Sequence, residues 1–234
     1  MVVLQWAREH GCGWDSQTCV YAAAGGHLEV LRWAREEGCE CSTRAWEICA
    51  KAACGGHLEV LQWAQEQNWH VFEAATDGAG TDREVAFGNV CFEAAGGGHL
   101  AVLQWARAQN YPLDKRTCAY AAAGGHLEVL KWARAHHCQW SPETCDLAVQ
   151  GGHLDVLLWA IEHDCPSSYL LHHLCHKAAR YGQLDVLRWA REHKAMAERT
   201  FGITAGCIRA ASRTIYYSEA GPYHYIGSAV VSST

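Results

Sequence analysis

Thirteen cysteines and fifteen histidines in 234 residues are the side chains with chemistry to offer, as thiolate nucleophiles, redox couples or ligands for zinc and copper. The densest group is His172-His173-Leu174-Cys175-His176. His172 and His176 stand four apart on one helical face with Cys175 adjacent, so a zinc or copper ion could sit there if a fourth group approached. Cys39-x-Cys41 offers two more thiols, but no second pair follows at zinc-ribbon spacing. Asp77 and Asp82 could suggest calcium, yet the Asp-x-Asp-x-Asp-Gly spacing is missing. No Gly-x-Ser-x-Gly elbow, phosphate-binding loop or dinucleotide fingerprint occurs. The expectation is a protein that is not an enzyme, with no catalytic residue and no cofactor.

Sorted by register, most of these residues become copies of one unit. Gly-Gly-His-Leu-Glu-Val-Leu stands at 25–31 and 55–61, with close variants at 97–103, 124–130, 151–157 and 181–187. Its anchors are His27, His57, His99, His126, His153 and Gln183. Six residues after each anchor stands a tryptophan (Trp33, Trp63, Trp105, Trp132, Trp159, Trp189), and eight before it a cysteine (Cys19, Cys49, Cys91, Cys118, Cys145, Cys175). Cys12, Cys39, Cys138 and Cys165 share a column twelve residues after the anchor, and His10, His136, His163 and His193 one ten residues after it. Only Cys41 and Cys54 escape these columns and Cys207, which opens an incomplete copy.

A column calls for packing before chemistry. The cysteines are expected as free, small, buried hydrophobes, because equivalent positions of adjacent copies lie about 10 Å apart, too far for one metal to bridge. The tryptophans are expected as a buried ladder between units, and the anchor histidines as hydrogen-bonding the turn they stand in.

Each unit reads as two short helices. The first runs from about Thr18 to Ala24, with Cys19, Ala22 and Ala23 on one face, and stops at Gly25-Gly26. The second starts near His27, carries Leu28, Val30, Leu31, Trp33 and Ala34 on one face against Glu29, Arg32 and Glu36 on the other, and stops at Gly38. Helices of two or three turns are not stable alone. Stacking must hold them, which predicts an all-α solenoid of helix-turn-helix units. The units fall at about 1–15, 16–42, 43–72, 88–114, 115–141, 142–169 and 170–198, with a partial one at 199–211. Residues 73–87 read as an inserted surface loop, and 212–234 as a cap or disordered tail.

Thr117-Cys118-Ala119-Tyr120-Ala121-Ala122-Ala123-Gly124-Gly125-His126-Leu127-Glu128-Val129-Leu130 resembles the ankyrin repeat, with its Thr-Pro-Leu-His-x-Ala-Ala helix, Gly-His turn and Leu-Glu-Val-Val helix. Aligned on Gly-His, the cysteine and the tryptophan each fall on a signature leucine. The match spans roughly 1–211 and looks closest to the short, tryptophan-containing variant of protists and large DNA viruses. The signature proline is missing, and units shorter than about 33 residues leave little length for a projecting hairpin. A chain opening on the second half of a unit is expected to be a fragment of a longer array.

In ankyrin-like units the residue six before the anchor faces the concave surface. Here it is Tyr21, Lys51, Glu93, Tyr120, Leu147 and Lys177, a column that varies where its neighbours do not. Such variation suits a recognition stripe, and its mixture of tyrosine and both charges favours a protein or peptide partner. Trp14 and Trp140, in connecting loops, are further anchor candidates. A net charge of −6 without a basic cluster argues against nucleic acid. No secretory leader or membrane-length apolar run is present, so a monomeric cytoplasmic scaffold is expected. Metal binding at His172, Cys175 and His176 is the alternative, and an array fragment without a dedicated partner is a third reading.

Overall fold

The computed structural model describes residues 2–13, 15–67, 69, 83–166 and 174–192. Among them are thirteen α-helices, one 3₁₀ turn and no strand, so the described residues are all-α, as expected. The chain divides into two compact units, Met1–Thr144 and Cys145–Thr234.

In the first unit α1 (Val2–Glu9) is followed by four helix pairs: α2 (Ser16–Ala24) with α3 (Leu28–Glu36), α4 (Ala45–Cys54) with α5 (Leu58–Glu66), α6 (Arg83–Gly96) with α7 (Leu100–Ala108), and α8 (Lys115–Ala123) with α9 (Leu127–Ala135). Each first helix packs on its own partner, and the first helices also pack in series, α2 on α4, α4 on α6 and α6 on α8. In the second unit α10 (Thr144–Gly151) precedes α11 (Leu154–Glu162), and α12 (Leu174–Arg180) pairs with α13 (Leu184–Glu192).

The second helix of each pair is amphipathic on the period that the columns implied. Leu31, Leu61, Leu103, Leu130, Leu157 and Leu187 are fully buried, and so is the alanine three residues after each. Fully burying a leucine is worth on the order of 2 kcal/mol, which is how nine-residue helices persist. α1 keeps the register through Trp6 and Ala7 but buries none of its residues.

The turn between paired helices is a Schellman motif. Gly26 N–H donates to Ala23 C=O (3.1 Å) and His27 N–H to Ala22 C=O (2.8 Å), and the second glycine is left-handed, with φ between +70° and +79° at Gly26, Gly56, Gly98, Gly125, Gly152 and Gly182. The anchor residue thus ends one helix and caps the next. Its ring does neither job. His57 Nε2 donates 3.0 Å to Ala24 C=O, His99 Nε2 2.9 Å to Cys54 C=O and His126 Nε2 3.0 Å to Gly96 C=O. Each acceptor closes the first helix of the preceding repeat, so the expected bond within the histidine's own turn is corrected to one between repeats. In the second unit Gln183 Nε2 donates to Gln150 C=O (2.6 Å) in the same way.

The double glycine follows from that bond. A Cβ on Gly56 would lie 2.7 Å from Cε1 and Cγ of His99, and one on Gly55 2.6 Å from Cδ2 of His57. Both glycines are seats for imidazole rings, one from their own repeat and one from the next.

Two expectations change. α6 begins at Arg83, inside the 73–87 segment expected as a loop. Arg-Glu-Val-Ala-Phe holds no glycine or proline before Gly88, so the helix extends through it. The tryptophan column is not a uniformly buried ladder. Trp63 and Trp189 are buried, Trp33, Trp105, Trp132 and Trp159 half-buried, and Trp6 exposed. The column sits at the flank of the Leu-Ala stripe, and a residue of the same repeat covers the outer face of most rings. His10, His136 and His163 lie 4.1–4.3 Å by ring centroid from Trp6, Trp132 and Trp159, and their Nδ1 donates to the same tryptophan's carbonyl at 2.7–2.8 Å. Where that position is glutamine, Trp69 and Tyr111 meet Trp63 and Trp105 edge-on at 5.4 and 5.8 Å.

Gly56→Ala should lower stability by more than the ~1–2 kcal/mol that a left-handed alanine costs by itself, because the methyl group also strikes His99. Urea unfolding of Gly56→Ala, His99→Ala and the double variant checks this: the glycine substitution should cost less once the ring is gone.

Candidate functional site

Two places combine functional side chains. The first is the outer face of the first helices. One face of each is filled with cysteine and alanine, and the residue six before the anchor emerges on the other. Tyr21 on α2 is 73% exposed and Tyr120 on α8 40%. Lys51 on α4 is exposed and Glu93 on α6 half-buried. These four residues hold one register position on helices packed in series. Leu147 on α10 and Lys177 on α12, in the second unit, are half-buried, and Lys177 forms an ion pair with Asp146.

Tyr120 is held from one side. Its ring lies 4.6 Å from that of Phe92 on α6, which in turn carries the Arg116 guanidinium 4.7 Å above its own centroid. Trp46 on α4 is also half in solvent. Trp140 is half-buried, with the Arg134 guanidinium 4.5 Å over its ring. Trp14 lies outside the described residues.

The second place is a set of thiols. The columns eight before and twelve after an anchor meet within a repeat. Cys19 Sγ lies 3.4 Å from Cys39 Sγ, Cys118 and Cys138 share a hydrogen bond, and so do Cys145 and Cys165. The loop after each second helix folds back to the start of its first helix. There the thiol of Cys138 donates 3.0 Å to Asp114 C=O, and that of Cys39 3.7 Å to Asp15 C=O. Asp15 and Asp114 also cap those helices through their carboxylates.

In the first of these pairs a third thiol joins. Cys41, in the 3₁₀ turn Cys41–Arg44, is disulfide-bonded to Cys19 with Cα atoms 5.9 Å apart, which corrects the expectation that every cysteine is free. The turn packs on α2, bringing Cys41 within the span of a bridge. The Sγ atoms of Cys19, Cys39 and Cys41 all lie within 4.8 Å of one another and all three residues are buried. The constant spacing of twenty between Cys19 and Cys39, Cys118 and Cys138, and Cys145 and Cys165 was the available signal. Comparing like positions across repeats conceals it.

The histidine cluster is placed differently. Cys175 is buried in the core and His176, the next residue on α12, is exposed, and His172 lies outside the described residues.

Burial sets the chemistry of these thiols. It raises Cys39, with the Asp15 carboxylate adding to the effect, and pushes Cys91 from its ordinary 9.0 up to about 12. Cys138 is instead lowered, chiefly because the Cys118 thiol hydrogen-bonds it.

Comparison with family models finds no match to this sequence, and comparison with curated proteins finds none.

Cys91 makes stability depend on pH at the alkaline end. On unfolding, its thiol returns to the ordinary 9.0 from about 12, so between those values the unfolded chain has lost a proton that the folded one keeps. Stability therefore falls as pH rises through this window. Urea unfolding at a series of pH values should show that fall, shallower in Cys91→Ala than in the wild type.

Proposed function

We propose that this chain is a non-enzymatic scaffold that binds a protein or peptide across the exposed faces of its first helices, in the manner its resemblance to ankyrin repeats implies. One observation carries the reading: Tyr21 and Tyr120, 73% and 40% exposed, stand at the same register position of helices packed in series, where neighbouring columns are buried almost without exception. Large rings in solvent at a repeated position are what a contact surface uses. Lys51 and Glu93 on the helices between them mix the charges of the stripe, which suits a protein surface better than a polyanion. The overall charge of −6 agrees.

The buried face of each unit builds the stack, and the variable position writes its specificity. The scaffold acts as a single chain, in the cytoplasm, and needs no cofactor for this role. No helix among the described residues is long and apolar enough to cross a membrane.

Affinity capture from the native cell with quantitative mass spectrometry tests the reading, using wild type and Tyr21→Ala/Tyr120→Ala. Loss of one hot-spot aromatic costs about 2 kcal/mol, roughly 30-fold in affinity. The double variant should keep its far-UV circular dichroism and lose the partner. An identical set of captured proteins would sink the stripe.

A further inference from the structure

We propose that Cys19, Cys39 and Cys41, once reduced, form a three-thiolate site for one copper(I) ion. Three observations converge on it. First, three Sγ atoms lie within 4.8 Å of one another in the core. Second, the other paired repeats manage with two thiols, Cys118 with Cys138 and Cys145 with Cys165, whereas Cys41 lies outside the copied columns and is an addition to this repeat alone. Third, a cavity of about 70 Å³ abuts the cluster, lined by Arg35, Cys39, Cys41 and Trp69. That space takes an ion or a water and excludes a substrate.

The donor set selects the metal. Thiolates favour the soft ions copper(I) and zinc(II), but structural zinc is almost always four-coordinate. No fourth histidine, cysteine, aspartate or glutamate joins the cluster among the described residues. With metal–sulfur bonds of about 2.3 Å, a trigonal arrangement sets the sulfurs roughly 4 Å apart. Cys19 and Cys39, at 3.4 Å, are nearly there, and Cys41 reaches it when its bond to Cys19 opens.

One reductant is enough to open the site. A dithiol, or a phosphine with water, supplies two electrons and two protons to the Cys19–Cys41 bond and gives two thiols. The three thiols then lose three protons and bind one copper(I), leaving the site with two negative charges. Arg35 lines the cavity and brings a positive charge to it.

The test uses the full chain, reduced with a phosphine without oxygen and titrated with copper(I) against a chromophoric copper(I) chelator. Wild type should withhold one copper(I) per chain. Cys39→Ser and Cys41→Ser should each lose more than about 100-fold in affinity, the upper end of what an outer neighbour costs. Cys138→Ser, which breaks a two-thiol pair, should match wild type. Unchanged retention by Cys41→Ser would overturn the proposal, because a pair would then suffice. X-ray absorption of the loaded chain should count three sulfurs, and a count of two or four overturns the three-coordinate assignment. Circular dichroism of each variant separates loss of ligand from loss of fold.

Discussion

The bond between an imidazole Nε2 and the carbonyl that ends the previous repeat's first helix is what the other features accommodate. A Schellman turn leaves its last carbonyls pointing out of the helix with no partner of their own. The next repeat fills that need with His57, His99 or His126, whose ring sits against the second glycine of that turn and the first glycine of its own. The ring needs glycine beneath it, the turn needs glycine for its left-handed residue, and the second helix needs its first residue just beyond. One tripeptide meets all three demands, so it recurs with so little change. A single such bond contributes only about 1 kcal/mol net. Its weight comes from position, since it sets how far apart consecutive first helices lie and therefore which alanines and cysteines interlock.

Much of this was legible in the chain. The Leu-Val-Leu-Ala phase predicted which face of each second helix is buried, and the glycine pair predicted where each first helix stops. What could not be read were contacts whose partners lie a repeat away. His57 reaches Ala24 across 33 residues, a distance that becomes short only after two helices have turned back on themselves. The tryptophans misled for a related reason. Their chemistry suits a core, but their phase places them at its edge, where the local His136 or Tyr111 packs against a ring that stays half-buried. Arg83 to Phe87 showed the converse, because an inserted stretch rich in helix formers continued the helix instead of looping out.

The thiols separate packing from chemistry within a single column. Cys49 and Cys91 are wholly buried and raised by that burial, which makes them poor nucleophiles and good filler. Cys19 occupies the same register position, yet lies beside Cys39 and Cys41. Nothing about the residue type distinguishes them. The difference comes from the loop after the second helix, which delivers an aromatic to one repeat and sulfur to another. Local exceptions, Cys41 and the varied residues six before each anchor, are thus carried on a frame whose own residues are committed to packing.

Gln183 shows what the junction requires. It replaces the imidazole with an amide, keeps an N–H donor at the same reach and still finds the carbonyl of Gln150. Every described junction within a unit thus presents the same socket and the same plug, whichever repeats it joins. A gene encoding such a chain can gain or lose a whole repeat by unequal recombination without inventing a new interface, because the broken ends already fit. Each added copy would lengthen the exposed stripe by one side chain free to change. The histidine over glycine is in that sense a coupling standard, and it lets the array be edited by the unit.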